Sequence, residues 1–177
     1  MKHFKTFTLL VFATAMLSVT SCSNSDDTAG LGTTASGSLS AKIDGASYSS
    51  LEISSSATLS NGGENLIIIA SNSDGKSFSI NIIGYNGTGT YPLGGGANIF
   101  NSASYTEVEV NRNNPSASTS EVWQAPYDDT VVGEIVVTEE TDANLKGTFS
   151  FTCKNVNEDD SIKTITEGAF DLAKKII

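Results

Sequence analysis

The groups with which this 177-residue chain could carry out covalent, acid–base or metal chemistry are few: two cysteines, one histidine and twenty carboxylates. His3 lies in a short basic segment that precedes a mostly apolar run from Phe7 to Val19. This is the form of a secretory leader, whose positive end stays in the cytosol while the apolar part enters the translocon. Loss of residues 1–21 as a signal peptide leaves no histidine, which excludes Ser-His-Asp and Cys-His catalysis and histidine-liganded zinc or copper. Cys153 shares one face of a period-two pattern with Phe149 and Phe151, the setting of a buried structural thiol rather than a nucleophile. Gly94-Gly95-Gly96 lacks the Lys-Ser/Thr and the helix of a phosphate loop and reads as a turn. The carboxylates cluster at Asp128-Asp129, at Glu139-Glu140 with Asp142, and at Glu158-Asp159-Asp160. Paired carboxylates about 5 to 9 Å apart hydrolyse glycosides, and oxygen-rich loops hold calcium. The sequence supplies no such pairing, so these read first as solvated turns, with a weak calcium site as the alternative. No cofactor, resident metal or enzymatic activity is expected.

Cys22 carries the most specific chemistry. Val19-Thr20-Ser21-Cys22 resembles the bacterial lipobox, an apolar residue, two small ones and a cysteine. That resemblance implies cleavage before Cys22, diacylglycerol on its sulfur and a partner in the membrane. The apolar run is broken by Thr8, Thr14 and Ser18 and falls short of the roughly 20 residues of a spanning helix. Asp26 and Asp27 follow closely, resembling the acidic export signal that sends Bacteroidetes lipoproteins to the outer face of the outer membrane; the plainer reading is a solubilising tether. From Ser23 to about Ser38 the composition of Ser, Asn, Asp, Thr, Gly and Ala cannot bury a core, and residues 22–37 read as a flexible tether.

Net charge is −10 for the whole chain and becomes about −12 once Lys2 and Lys5 leave with the leader. Such a surface repels nucleic acid and anionic lipid. Trp123, followed by Gln124-Ala125-Pro126-Tyr127, is the best candidate for an exposed aromatic contact, and Trp123 with Tyr127 is the candidate ligand-binding pair. Tyr48, Tyr85, Tyr91 and Tyr105 would join a stacking platform only if they shared one exposed face. Thr28, Thr130 and Ser161 each follow an aspartate and precede an apolar residue or alanine, the pattern on which Bacteroidetes-type proteins carry O-linked glycans.

The elements that must position these groups read as strands. Asp44-Gly45 suits a two-residue hairpin turn between Ser38 to Ile43 and Ala46 to Ile53. A second hairpin joins Asn65 to Ala70, which looks buried on both faces, to the alternating Phe78, Ile80 and Ile82. Further strands are expected at 89–93, 99–110, 121–124, 131–138, 146–155 and 163–172, nine or ten in all, with no helical periodicity. Residues 38–177 therefore form one all-β domain, an antiparallel sandwich or a small closed, lipocalin-like barrel. Asn111 to Ser120 reads as a long crossing loop, which favours the sandwich.

Ala41-Lys42-Ile43-Asp44-Gly45-Ala46-Ser47-Tyr48, Gly89-Thr90-Tyr91-Pro92-Leu93, Gly133-Glu134-Ile135-Val136-Val137-Thr138, Lys146-Gly147-Thr148-Phe149-Ser150-Phe151 and Ile165-Thr166-Glu167-Gly168-Ala169-Phe170 together resemble a family of Bacteroidetes lipoproteins of unknown function, number 6252. Tyr48 stands where similar proteins often have tryptophan. The resemblance implies an all-β lipoprotein and no catalytic residues. The expected role is a non-catalytic binding domain for a glycan, peptide or partner protein outside the cell; the alternative is a small barrel carrying an apolar ligand.

Overall fold

The computed structural model describes Thr34 and residues 36–96, 100–157 and 159–177; Cys22, Asp26, Asp27 and Thr28 lie outside the described residues. Among the described residues eleven strands follow in order: β1 (Ser38–Ile43), β2 (Ala46–Ser49), β3 (Ser55–Ser60), β4 (Asn65–Ser71), β5 (Lys76–Ile83), β6 (Gly89–Leu93), β7 (Ser102–Glu109), β8 (Thr119–Ala125), β9 (Gly133–Glu140), β10 (Asn144–Asn155) and β11 (Ile162–Ile176). Six of them, in the order β2-β1-β11-β10-β9-β6, pair antiparallel as one sheet. The other five, β3-β4-β5-β7-β8, form a second antiparallel sheet.

Two short seams join the sheets at their corners. The end of β11 runs parallel to β3, Lys174 opposite Ala57 and Ile176 opposite Leu59. The end of β10 meets β8, Lys154 opposite Gln124 and Asn155 opposite Trp123. These seams are too short to make a regular barrel, so the fold is the all-β, sandwich-like one expected. A bulge in β11 makes the first seam reachable. Glu167 has φ 51°, and β11 shifts register there against both β1 and β10, which bends its upper half toward the second sheet.

The two inner faces meet around Phe78 of β5. Its ring lies 5.0 Å from that of Tyr48, 5.1 Å from Tyr105, 5.6 Å from Phe149 and 6.4 Å from Phe151, mostly in the edge-to-face or tilted arrangements that aromatic quadrupoles favour. Leu39, Leu66, Ile68, Ile80, Ile82, Ile135 and Leu172 are buried around it. Gly147 is required by close approach: a Cβ there would meet the Val136 carbonyl oxygen at 2.1 Å and Phe170 Cζ at 2.4 Å. The missing side chain makes room for the Phe170 ring from the facing position of β11.

Both predicted hairpins are present. Asp44 and Gly45 have φ of 50° and 85°, the left-handed pair that a two-residue turn between twisted strands needs. In the second turn, Asn72 Oδ1 accepts from the backbone N–H groups of Asp74 and Lys76. Three expectations are corrected. The strand predicted to run to Ile53 ends at Ser49, and Ser55–Ser60 is a separate strand in the other sheet; with only Ala57 and Leu59 facing inward, its alternation is too faint to read. β4 is buried on one face only: Ile69 is 50% exposed, because its neighbours in register, Ser56 and Ser79, belong to a polar outer face. Residues 111–120 cross nothing. Residues 110–118 form the connection of the β7–β8 hairpin, in which Glu109 faces Thr119, and Thr119 and Ser120 already belong to β8.

Candidate functional site

β8 places alternate residues on opposite faces, so Trp123 and Ala125 point inward. Trp123 sits opposite Tyr105 of β7 with ring centroids 5.8 Å apart. It is only 5% exposed, which corrects the expectation of an aromatic standing clear of the loop. Its indole N–H donates to Ser161 Oγ at 2.9 Å, and the Lys163 ammonium lies 4.3 Å from the ring centroid. Lys163 also approaches Glu107 at 3.6 Å, and Glu107 accepts the Tyr105 hydroxyl proton at 2.6 Å. Burial, then the Glu107 carboxylate, raises the Tyr105 phenol well above its ordinary value.

Trp123 reaches the surface in a cleft of about 410 Å³ lined by Thr119, Ser120, Glu121, Trp123, Asn157 and Asp159. The β7–β8 hairpin supplies one wall and the β10–β11 turn the other. The polar groups of the walls are held in place by bonds that cross between them. Glu121 Oε2 accepts from Asn155 Nδ2 at 2.8 Å, and Asn157 Oδ1 accepts the Val122 N–H at 2.9 Å. Asp159 Oδ1 accepts the Ser161 N–H at 2.9 Å, and the Ser161 backbone and hydroxyl together hold the Asp159 carboxyl below its ordinary range. A second concavity beside it, lined by Glu109, Asn111, Arg112 and Asn113, shares Thr119 with the cleft. Trp123 and the loop named from sequence therefore do adjoin, although the tryptophan is almost wholly buried.

Tyr127 is not part of this cleft's lining. It is 40% exposed and its hydroxyl lies 3.2 Å from Thr152 Oγ1. Tyr48, Tyr85 and Tyr105 are buried core residues, so the tyrosines form no common exposed platform. Thr130 is exposed and its N–H and hydroxyl both donate to Asp128 Oδ1, which keeps that carboxyl below its ordinary range. Ser161 is half-buried and its oxygen is engaged by Trp123.

Cys153 is fully buried with Phe149 and Phe151 on the inner face of β10, as its spacing predicts. Burial first, and the Asp44 charge second, push its thiol up to about 12 despite the opposing pull of Lys163. The remaining carboxylates are dispersed among partners: Glu140 with Lys174 and Tyr85, Glu139 with Lys146, Asp160 with Lys154. Among the described residues no three acidic, cysteine or histidine side chains gather as metal ligands, and no helix is long and apolar enough to cross a membrane.

Sequence reasoning missed Glu121 and Asn157 as lining of the cleft, and Asn155 and Lys163 as the partners of Glu121 and Trp123. The only available signal was strand register, since Asn155 meets Trp123 through the β8–β10 seam and not through a hairpin. No match to the chain was found among curated proteins or among solved structures. A family model described as a domain of unknown function, DUF6252, matches residues 35–172. With most of its length covered by that match, the chain belongs to the DUF6252 family.

Proposed function

We propose that this protein is an outer-membrane lipoprotein of the Bacteroidetes type, anchored through Cys22 and facing outward, whose β domain binds a ligand without turning it over. The observation that carries the binding half is the cleft at Thr119–Trp123 and Asn157–Asp159, whose hydrogen-bonding groups are already fixed by Asn155, Ser161 and the Val122 N–H. Preorganised carboxylate, amide and hydroxyl groups beside a tryptophan suit a neutral polyhydroxylated ligand, a glycan above all, or a polar peptide loop. The acidic surface disfavours polyanions, nucleic acid included. The anchor half rests on the lipobox, on Asp26 and Asp27, and on where the tether joins the domain. Gly37 bonds to Asp171, and the cleft lies at Ser161 on the opposite end of β11, roughly 30 Å away along the strand. A domain held this way presents the cleft away from the lipid.

The alternative of an apolar ligand inside a barrel loses its support, because β4, whose apparent burial on both faces suggested it, is buried on one face only, with Ile69 half exposed. Metabolic lipid labelling tests the anchor: incorporation should be present in the native chain and lost in Cys22→Ala. Protease shaving of intact cells tests display, with digestion of the domain expected. Arrays of neutral oligosaccharides and of proteins test binding.

A further inference from the structure

The chain enters the domain at a corner that also carries Ile53, the most exposed large aliphatic side chain among the described residues. β11 pairs with β1 up to Asp171 and with β3 from Lys174 onward. The gap between those partners is flanked by a single 3-10 turn, Glu52–Ser54, and a groove of about 620 Å³ lined among others by Gly37, Leu51, Ile53 and Lys175. Ile53 is 95% exposed and Leu51 46%. The turn is braced in this pose. Leu51 N–H donates to the Ser71 carbonyl at 2.9 Å, and the Ser54 and Ser55 hydroxyls donate to the carbonyls of Ser71 and Leu51, each at 2.7 Å. Glu52, between the two apolar residues, lies against Gly37, where a Cβ would meet its Cγ at 2.5 Å.

We infer that Leu51 and Ile53 form a second membrane contact, seated in the same lipid layer that holds the acyl chains on Cys22. The inference rests on the lipoprotein reading. Its further support is where the tether ends: a random-coil linker of the length separating Cys22 from Gly37 has an r.m.s. reach of roughly 20 Å, and Gly37 lines the groove beside the turn. The corner bearing Ile53 is thus the part of the domain held nearest the bilayer, and Lys175 on its rim can meet lipid phosphates. Insertion there orients β11 so that the cleft at its far end faces outward.

The test uses the full lipidated protein in phosphatidylcholine vesicles with an environment-sensitive fluorophore on Glu52→Cys; Cys22 is blocked by lipid and Cys153 is buried. Asn113→Cys in the β7–β8 loop serves as the distant control. Emission at position 52 should shift to the blue and be quenched by spin-labelled lipid about threefold more than at 113. Leu51→Ser with Ile53→Ser should abolish the difference while the protein still floats with the vesicles. A probe at 52 as aqueous as that at 113 in floating protein overturns the inference and leaves the anchor standing. Protein that neither floats nor takes labelled lipid overturns the anchor and the inference together. A blue shift that persists without vesicles and grows with protein concentration assigns the turn to a second copy and also overturns it.

Discussion

Trp123 donates its indole N–H to Ser161 across the corner where β8 meets β10. This bond ties the cleft's two walls together, because Ser161 also binds Asp159 and Trp123 packs on Tyr105. Ser161→Ala leaves a nearly buried donor without its acceptor and should cost about 1 to 2 kcal/mol. Trp123→Phe combined with Ser161→Ala should cost less than the sum of the two single changes by roughly 0.5 to 1.5 kcal/mol. Urea unfolding of the four proteins measures this, and strict additivity would refute the coupling.

The same bond separates the candidate glycosylation sites. Thr130 is exposed in a loop, whereas the Ser161 oxygen is half-buried and engaged by the indole. Glycopeptide mass spectrometry of the protein from its native host should find Thr130 occupied more fully than Ser161. Equal or greater occupancy of Ser161 would contradict the placement.

Adjacent isoleucines in β4 should behave oppositely. Ile68 is fully buried, so Ile68→Ala should destabilise by about 2 to 5 kcal/mol. Ile69 stands half exposed between Ser56 and Ser79, and Ile69→Ala should cost no more than about 1 kcal/mol. Comparable losses in the two, measured by denaturant unfolding, would mean that the strand is buried on both faces after all.

Alkali should weaken the fold through its buried thiol and phenols. The Cys153 thiol is pushed up to about 12 from an ordinary 9.0 by burial, and burial also raises Tyr48, Tyr85 and Tyr105. A value raised in the folded state means that folding favours the protonated form. The contribution is complete below the unfolded thiol's value and is lost as pH climbs from about 9 toward 12. The urea midpoint should therefore be unaffected by these groups up to about pH 8.5 and fall above it. Cys153→Ala should flatten the first part of that fall while costing about 1 kcal/mol at neutral pH. A slope unchanged by the substitution would remove Cys153 from the explanation.

Local signals in the sequence revealed much of this fold. Asp44-Gly45, Asp74-Gly75 and the alternation Phe78-Ile80-Ile82 mark hairpins and inner faces without reference to the rest of the chain, and Cys153 follows from its period with Phe149 and Phe151. Features that depend on distant partners were hidden. Ile69 reads as buried until Ser56 and Ser79 are known to flank it. Ser55–Ser60 gains its place from a parallel seam with β11, more than a hundred residues later. The cleft is the extreme case. Trp123 was conspicuous as a residue type, but two of its partners, Lys163 and Ser161, come from the start of β11 and the end of the β10–β11 turn.

The central claim is that ligand is held, and not transformed, in the cleft between Thr119 and Asp159. The most direct measurement is binding of the mature chain, carrying Cys22→Ser for solubility, to an array of neutral oligosaccharides and proteins, beside a Ser120→Arg variant shown to be folded. Ser120 is exposed in the cleft, so arginine there should fill it without disturbing the core. The account predicts a hit that the native domain releases chemically unchanged and that Ser120→Arg reduces at least about tenfold, a difference of 1.4 kcal/mol. A hit that Ser120→Arg binds as well as the native domain, or one recovered as a cleaved product, would contradict it.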